Sequence, residues 1–226
     1  MKRDEVAAAI EGSGWQLLTS DLCAQVVTGS LAQAAAVAAQ VARTAGVHGD
    51  GHLRLDVRAD RLLLTLSTLA AGTVTSRDVE LAHAISAAVT GLGLSLGQGV
   101  EAGSARSVQL VEIGIDAMDI AAIRPFWKAV LGYADEPGND GPEDAVVDPQ
   151  WQGPTIWFQQ MDAPRPQRNR IHFDVKVPYG QARQRIEAAI AAGGRLTYDA
   201  EAPAFWVLAD PEGNQACVCT WAGRDG

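Results

Sequence analysis

Residues 108–222 contain one pattern written twice, and that repetition limits the chain more than any other feature. The first copy opens with alternating Val108-Gln-Leu-Val-Glu112-Ile-Gly-Ile115 and continues into the helix-like run 121–131. The second opens with Ile171-His172-Phe-Asp-Val-Lys-Val177 and continues into 181–190. Three short strand-like segments close each copy: Gly132-Tyr133, 145–147 and 155–159 in the first, 195–198, 204–209 and 215–220 in the second. A tandem repeat of this kind is expected to place equivalent residues around one shared cavity, where metals and small ligands can bind. Strand alternation turns Ile113 and Ile115 to one face and Glu112 to the other; Phe173 and Val175 likewise point away from His172. Between the last two strands, Asp210-Pro-Glu-Gly-Asn214 reads as a tight turn, with Pro at its second position and Gly supplying positive φ.

The first half has another character. Trp15 is its only aromatic residue; every other Trp, Tyr and Phe lies at or after Phe126. The Gly- and Ser-rich stretch 91–104 separates the halves, which gives domains at 1–100 and 108–226 with a linker at 101–107. Within the first domain, residues 4–10 suit a short helix, and 15–18 and 22–28 a strand pair. Ser30 suits the N-cap of an Ala-rich helix over 31–44. Residues 53–57 and 62–66 alternate about an Arg-Ala-Asp-Arg turn, and Thr75 caps a last helix over 77–90. Helices over an antiparallel sheet make a two-layer α+β domain.

Composition narrows the function classes. Hydrophobic residues make up 47% of the chain and charged residues 20%, the balance of a globular protein rather than a disordered one. A net charge of −9 argues against a nucleic-acid partner, which needs a basic face. No apolar run approaches the ~20 residues of a membrane span. The start is too short and too acidic for a secretory signal. Three cysteines, Cys23, Cys217 and Cys219, imply no disulfide framework, so a reducing cytoplasm is expected.

Residues 64–82, Leu-Thr-Leu-Ser-Thr-Leu-Ala-Ala-Gly-Thr-Val-Thr-Ser-Arg-Asp-Val-Glu-Leu-Ala, resemble pterin-4a-carbinolamine dehydratase, and the order of elements agrees over roughly 4–92. The resemblance implies imidazoles beside a pterin ring, moving protons while water leaves C4a. The family draws them from a His-His-Pro segment and a Thr-His pair. Here Ala45-Gly-Val-His48-Gly-Asp50-Gly-His52 replaces the first, so that His48 or His52 survives according to which side the alignment starts from. Thr68-Leu69 replaces the second, while Asp78 is retained. The implied catalytic residues are therefore His48, His52 and Asp78.

The second half carries Arg124-Pro-Phe-Trp-Lys-Ala-Val-Leu-Gly132, Asn169-Arg-Ile-His-Phe-Asp-Val175 and Trp206-Val-Leu-Ala-Asp-Pro-Glu-Gly-Asn214. It is similar to the glyoxalase/bleomycin-resistance/extradiol-dioxygenase superfamily. That resemblance implies paired βαβββ units forming a cupped sheet. It also implies metal ligands on the first and last strands of each unit: Glu112, Gln159, His172 and Cys217. The 47-residue step from Glu112 to Gln159 and the 45-residue step from His172 to Cys217 accord with it. A divalent ion (Zn, Ni, Mn or Fe) is then expected, or a metal-free pocket that keeps these polar residues. Trp157 and Met161 share the face of Gln159 and are expected either to wall a ligand cavity or simply to pack. Three functions stay open: a pterin-type lyase, a metal-dependent glyoxalase or dioxygenase, and a non-catalytic small-molecule binder. Both resemblances imply a small-molecule partner and a homodimer or larger homo-oligomer.

Overall fold

The computed structural model describes residues 1–97, 108–165, 167 and 171–223. It divides into two compact units, Met1–Leu110 and Val111–Gly226. The expected linker at 101–107 lies outside the described residues.

The first unit contains α1 (Arg3–Ala9), β1 (Gln16–Leu18), β2 (Asp21–Val27), α2 (Leu31–Ala45), β3 (Leu53–Val57), β4 (Arg61–Leu66), α3 (Ser76–Gly91) and β5 (Leu96–Gly97). The antiparallel sheet runs β1-β2-β4-β3, and β5 joins β2 beyond β1. Alternation assigns its faces. Leu22, Ala24 and Val26 of β2, with Leu62, Leu64 and Leu66 of β4, enter one core with Val37 and Val41 of α2 and Ala82, Ile85 and Val89 of α3. The result is the α+β domain expected, with its helices gathered over the sheet. Ser30 caps α2 by accepting the Gln33 N–H, as its residue type predicts. Buried Trp15 ties β1 to α3, its indole N–H donating to the Ala82 carbonyl and the Ser86 hydroxyl. Cys23 points away from the core cluster yet is also buried. Burial, with the Asp21 charge adding to it, pushes its thiol up to about 11.

The second unit contains β6 (Glu112–Ala117), α4 (Ile120–Leu131), β7 (Ala134–Asp135), β8 (Val146–Val147), β9 (Thr155–Gln160), β10 (Phe173–Lys176), α5 (Tyr179–Ala191), β11 (Arg195–Tyr198), β12 (Phe205–Ala209) and β13 (Gln215–Cys219). Two four-stranded sheets, β6-β9-β8-β7 and β10-β13-β12-β11, repeat one topology. The paired βαβββ architecture is present, although residues 108–111 are not strand. Residues of both copies share one core: Ile115, Ile123, Phe126 and Trp127 pack with Ala182, Ala189, Leu208 and Val218. Trp127 meets Phe173 of the other copy edge-on, with ring centroids 5.2 Å apart. Asp119 caps α4 by accepting the Ala122 N–H, and Gly132 ends it at φ 73°. A side chain at Gly132 would strike the Arg185 guanidinium of α5. Buried Arg124 donates to the Asp144 carbonyl and the Asp135 carboxylate. Lys128, and Arg124 after it, hold the Asp135 carboxyl below its ordinary range.

The Asp-Pro-Glu-Gly-Asn turn joins the copies. Asp210 has no exposure and accepts from the Trp127 indole at 3.0 Å. It also accepts from the Asn214 amide and the Glu212 and Asn214 backbone N–H groups. Glu212 reaches back to accept the Met118 and Asp119 backbone N–H groups. Asp210→Ala would orphan several buried donors, each costing ~1–3 kcal/mol. It is expected to lower the urea midpoint of this unit by roughly 1 M or more, followed by circular dichroism. An unchanged midpoint would show that the turn does not hold the copies together.

Candidate functional site

In the first unit the cluster around Asp78 begins with a helix cap. Thr75 precedes α3, and Asp78, three residues on, accepts the Thr75 N–H at 2.7 Å in a capping box. That geometry buries the carboxylate completely. Its Oδ2 also accepts the Thr75 hydroxyl at 3.0 Å and the Thr68 hydroxyl at 2.8 Å, while Oδ1 faces His52 Nδ1 at 2.8 Å. A carboxylate only accepts, so the Nδ1 that meets it carries the hydrogen and the Nε2 lone pair is left for another partner.

The His52 side chain is 19% exposed. Its backbone is fixed too, because its carbonyl accepts the Ser67 N–H at 3.0 Å and its N–H donates to Gly49. His52 therefore meets Asp78 through the pairing of β3 with β4, in which Leu53 lies opposite Leu66. His48 sits exposed on a 3-10 turn, Gly46–Gly49, and makes no side-chain hydrogen bond among the described residues. Of the two alignments open from the sequence, the structure brings the one with His52 to Asp78. Thr68, which helps hold Asp78, was not among the candidates; it lies two residues past the end of β4, just before a 3-10 turn at Leu69–Ala71.

In the second unit, the four residues implied as metal ligands do not share one place. Glu112 pairs with Thr155 across β6 and β9, whereas Gln159 pairs with Asp116. Four strand residues separate them, about 13 Å at 3.3 Å per residue, too far for one ion. Gln159 therefore leaves the set expected from the sequence. The 45-residue step between His172 and Cys217, applied from Glu112, lands on Trp157 instead.

What does come together is His172, Asp174 and Cys217, whose ligating atoms all lie within 4.8 Å of one another. Asp174 and Cys217 are direct partners across parallel β10 and β13. His172 Nε2 lies 3.4 Å from an Asp174 oxygen. Glu112 stands outside this group. Sequence reading passed over Asp174, although its place two residues after His172 put it on the same face. This trio, rather than the four implied residues, could hold a metal ion.

A cavity of about 730 Å³ opens between β6 and β10. Ile113, Ile115, Trp127, Met161 and Phe173 are among its apolar walls, and Asp116, Arg165 and Gln215 among its polar groups. Met161 thus lines a cavity. Trp157 is 40% exposed and lies against Gly114, where a Cβ would stand 2.8 Å from the indole ring.

Comparison with known proteins agrees with this division. Residues 1–88 match the family model described as pterin 4 alpha carbinolamine dehydratase, and residues 112–219 match the one described as glyoxalase-like domain. Among curated proteins none matches the chain. One similar solved structure is a glyoxalase/bleomycin resistance protein/dioxygenase family enzyme from Burkholderia phytofirmans: 19% identity, 50% of this chain, 98% of that chain, TM-score 0.38. Another is the fosfomycin resistance protein FosX from Mesorhizobium loti: 9% identity, 49% of this chain, 90% of that chain, TM-score 0.37. Among the described residues no helix is long and apolar enough to cross a membrane.

Asp78→Asn would turn an amide N–H₂ toward donors that now meet a carboxylate. The expected cost is about 1–3 kcal/mol, a fall in Tm of roughly 3–10 °C. An unchanged Tm would show that the two threonines and the Thr75 N–H do not depend on that oxygen.

Proposed function

We propose that this chain, dehydratase-like in its first unit and glyoxalase-like in its second, is a lyase that removes water from a 4a-hydroxytetrahydropterin. The observation that carries the reading is the buried Asp78 carboxylate holding His52 Nδ1 at 2.8 Å. An imidazole fixed in this way acts through Nε2 as a general base and then a general acid. Here it would take the proton from the ring nitrogen beside C4a and hand it to the departing C4a hydroxyl. The C4a–O bond breaks, a C=N bond forms, and water leaves. Gly51 and Leu69 stand where the family has further imidazoles, so His52 performs alone a transfer that relatives divide.

The test is quinonoid dihydropterin formation by the full chain. His52→Ala is expected to lower the rate on the order of 10²–10⁴-fold, while exposed His48→Ala leaves it unchanged. A rate at background in the unaltered protein, or equal loss in both variants, overturns the reading.

A second reading concerns the glyoxalase-like unit, and the 730 Å³ cavity supports it. That volume and its apolar walls suit a small planar or aromatic molecule held by a few polar contacts at the rim. The unit would bind such a ligand as an enzyme with a divalent ion (Zn, Ni, Mn or Fe) or as a sequestering protein. Either activity belongs in a reducing cytoplasm and suits a homo-oligomer. Ile113→Trp, which fills the cavity from β6, is expected to abolish binding of a fluorescent naphthalene sulfonate probe without changing dehydratase rate; undiminished binding removes the cavity as the site.

A further inference from the structure

We propose that the second βαβββ copy alone binds a zinc-class divalent cation, through His172, Asp174 and Cys217, and that the first copy supplies no ligand. The inference does not depend on the dehydratase reading. It rests on strand register. Asp174 and Cys217 face each other across β10 and β13, and His172, two residues before Asp174, shares their side. Their neighbours in sequence, Phe173, Ala216 and Val218, pack into the core, so the trio lies on the opposite face. Ligands around a tetrahedral zinc stand about 3.3–3.8 Å apart, given bonds of ~2.0–2.3 Å. His172 and Asp174 already stand at 3.4 Å, and the whole trio lies within 4.8 Å. Side-chain rotation closes the difference without moving the sheet.

Donor chemistry sets the ion. A thiolate beside an imidazole and one carboxylate selects zinc-class ions over magnesium or calcium. Cys217 is buried, whereas the His172 and Asp174 side chains are 50% and 54% exposed. Three protein ligands with one open, wet side describe a site that keeps a fourth position for water or substrate.

The first copy shows why the site is one-sided. Adding 60 residues to the cross-strand pair Gly114–Trp157 gives Asp174–Cys217. Where the second copy has a carboxylate and a thiol, the first has a glycine with an indole laid on it. Glu112, the counterpart of His172, is left as a single donor outside the trio.

The test uses the full chain, stripped with chelator and titrated with Co(II), whose thiolate coordination gives a charge-transfer absorption in the near ultraviolet. The expected result is one Co(II) per chain, displaced by Zn(II). Cys217→Ser should abolish the band and Cys219→Ser should keep it. Asp174→Asn should weaken binding roughly a hundredfold or more, beyond the ~10–100-fold that loss of an outer partner costs. Glu112→Gln should leave affinity unchanged. No band, a band that survives Cys217→Ser, or a Glu112→Gln loss equal to that of Asp174→Asn overturns the proposal. All four substitutions are near-isosteric, and two of them fall on exposed residues, so circular dichroism can confirm the fold in each variant.

Discussion

The carboxylate of Asp210 has no contact with solvent, yet it gathers donors from both halves of the repeat. An ionised group in that position is tolerable only when its oxygens are satisfied. The requirement fixes the turn, because Asp210, Glu212 and Asn214 must all fold inward. It also fixes the partner, because the Trp127 indole must arrive from α4 of the other copy. Once that junction is set, Glu212 is placed to cap the entry to α4, and the two apolar faces meet in one core. The cavity is lined from both copies, by Ile113 and Ile115 of β6 and Phe173 of β10. Asp78 plays the same physical part in the first unit. It too is a buried carboxylate surrounded by donors, but one of those donors is an imidazole with a second nitrogen to offer.

Much of the architecture was legible in the residues. Apolar alternation placed the strands, and Ser30 and Thr75 sit where helices begin because their oxygens satisfy first-turn N–H groups; the Asp119 cap of α4 went unread. The Asp-Pro-Glu-Gly-Asn run announced its turn. The site was legible only in part, and the reason is geometric. A period of two tells which face of a strand a side chain takes, but not how far along its neighbour it stands. Gln159 is on an acceptable face and at the wrong height. Asp174 stands directly opposite Cys217, and the one mark of it in the sequence was its place two residues after His172. His48 and His52 were inseparable in sequence because the choice between them is made by the pairing of β3 with β4, a contact between distant residues.

The two units share a chemical trend. Each holds titratable side chains in fixed positions: His52 against Asp78 in the first, and His172, Asp174 and Cys217 within 4.8 Å of one another in the second. In both, these positions are set by the scaffold itself, through a helix cap or a direct cross-strand pair.

The core shared by the two βαβββ copies bears on how such a chain arises. A single copy would leave the faces of Ile115, Phe126 and Trp127 in water, so a one-copy ancestor would have had to fold as a pair of identical chains. In a pair of identical chains every substitution appears twice, and a glycine that removes a ligand from one half removes it from the other. Joining the copies in one polypeptide breaks that tie. Gly114 beside Trp157 and Asp174 beside Cys217 are the same two positions in halves that can each change by itself.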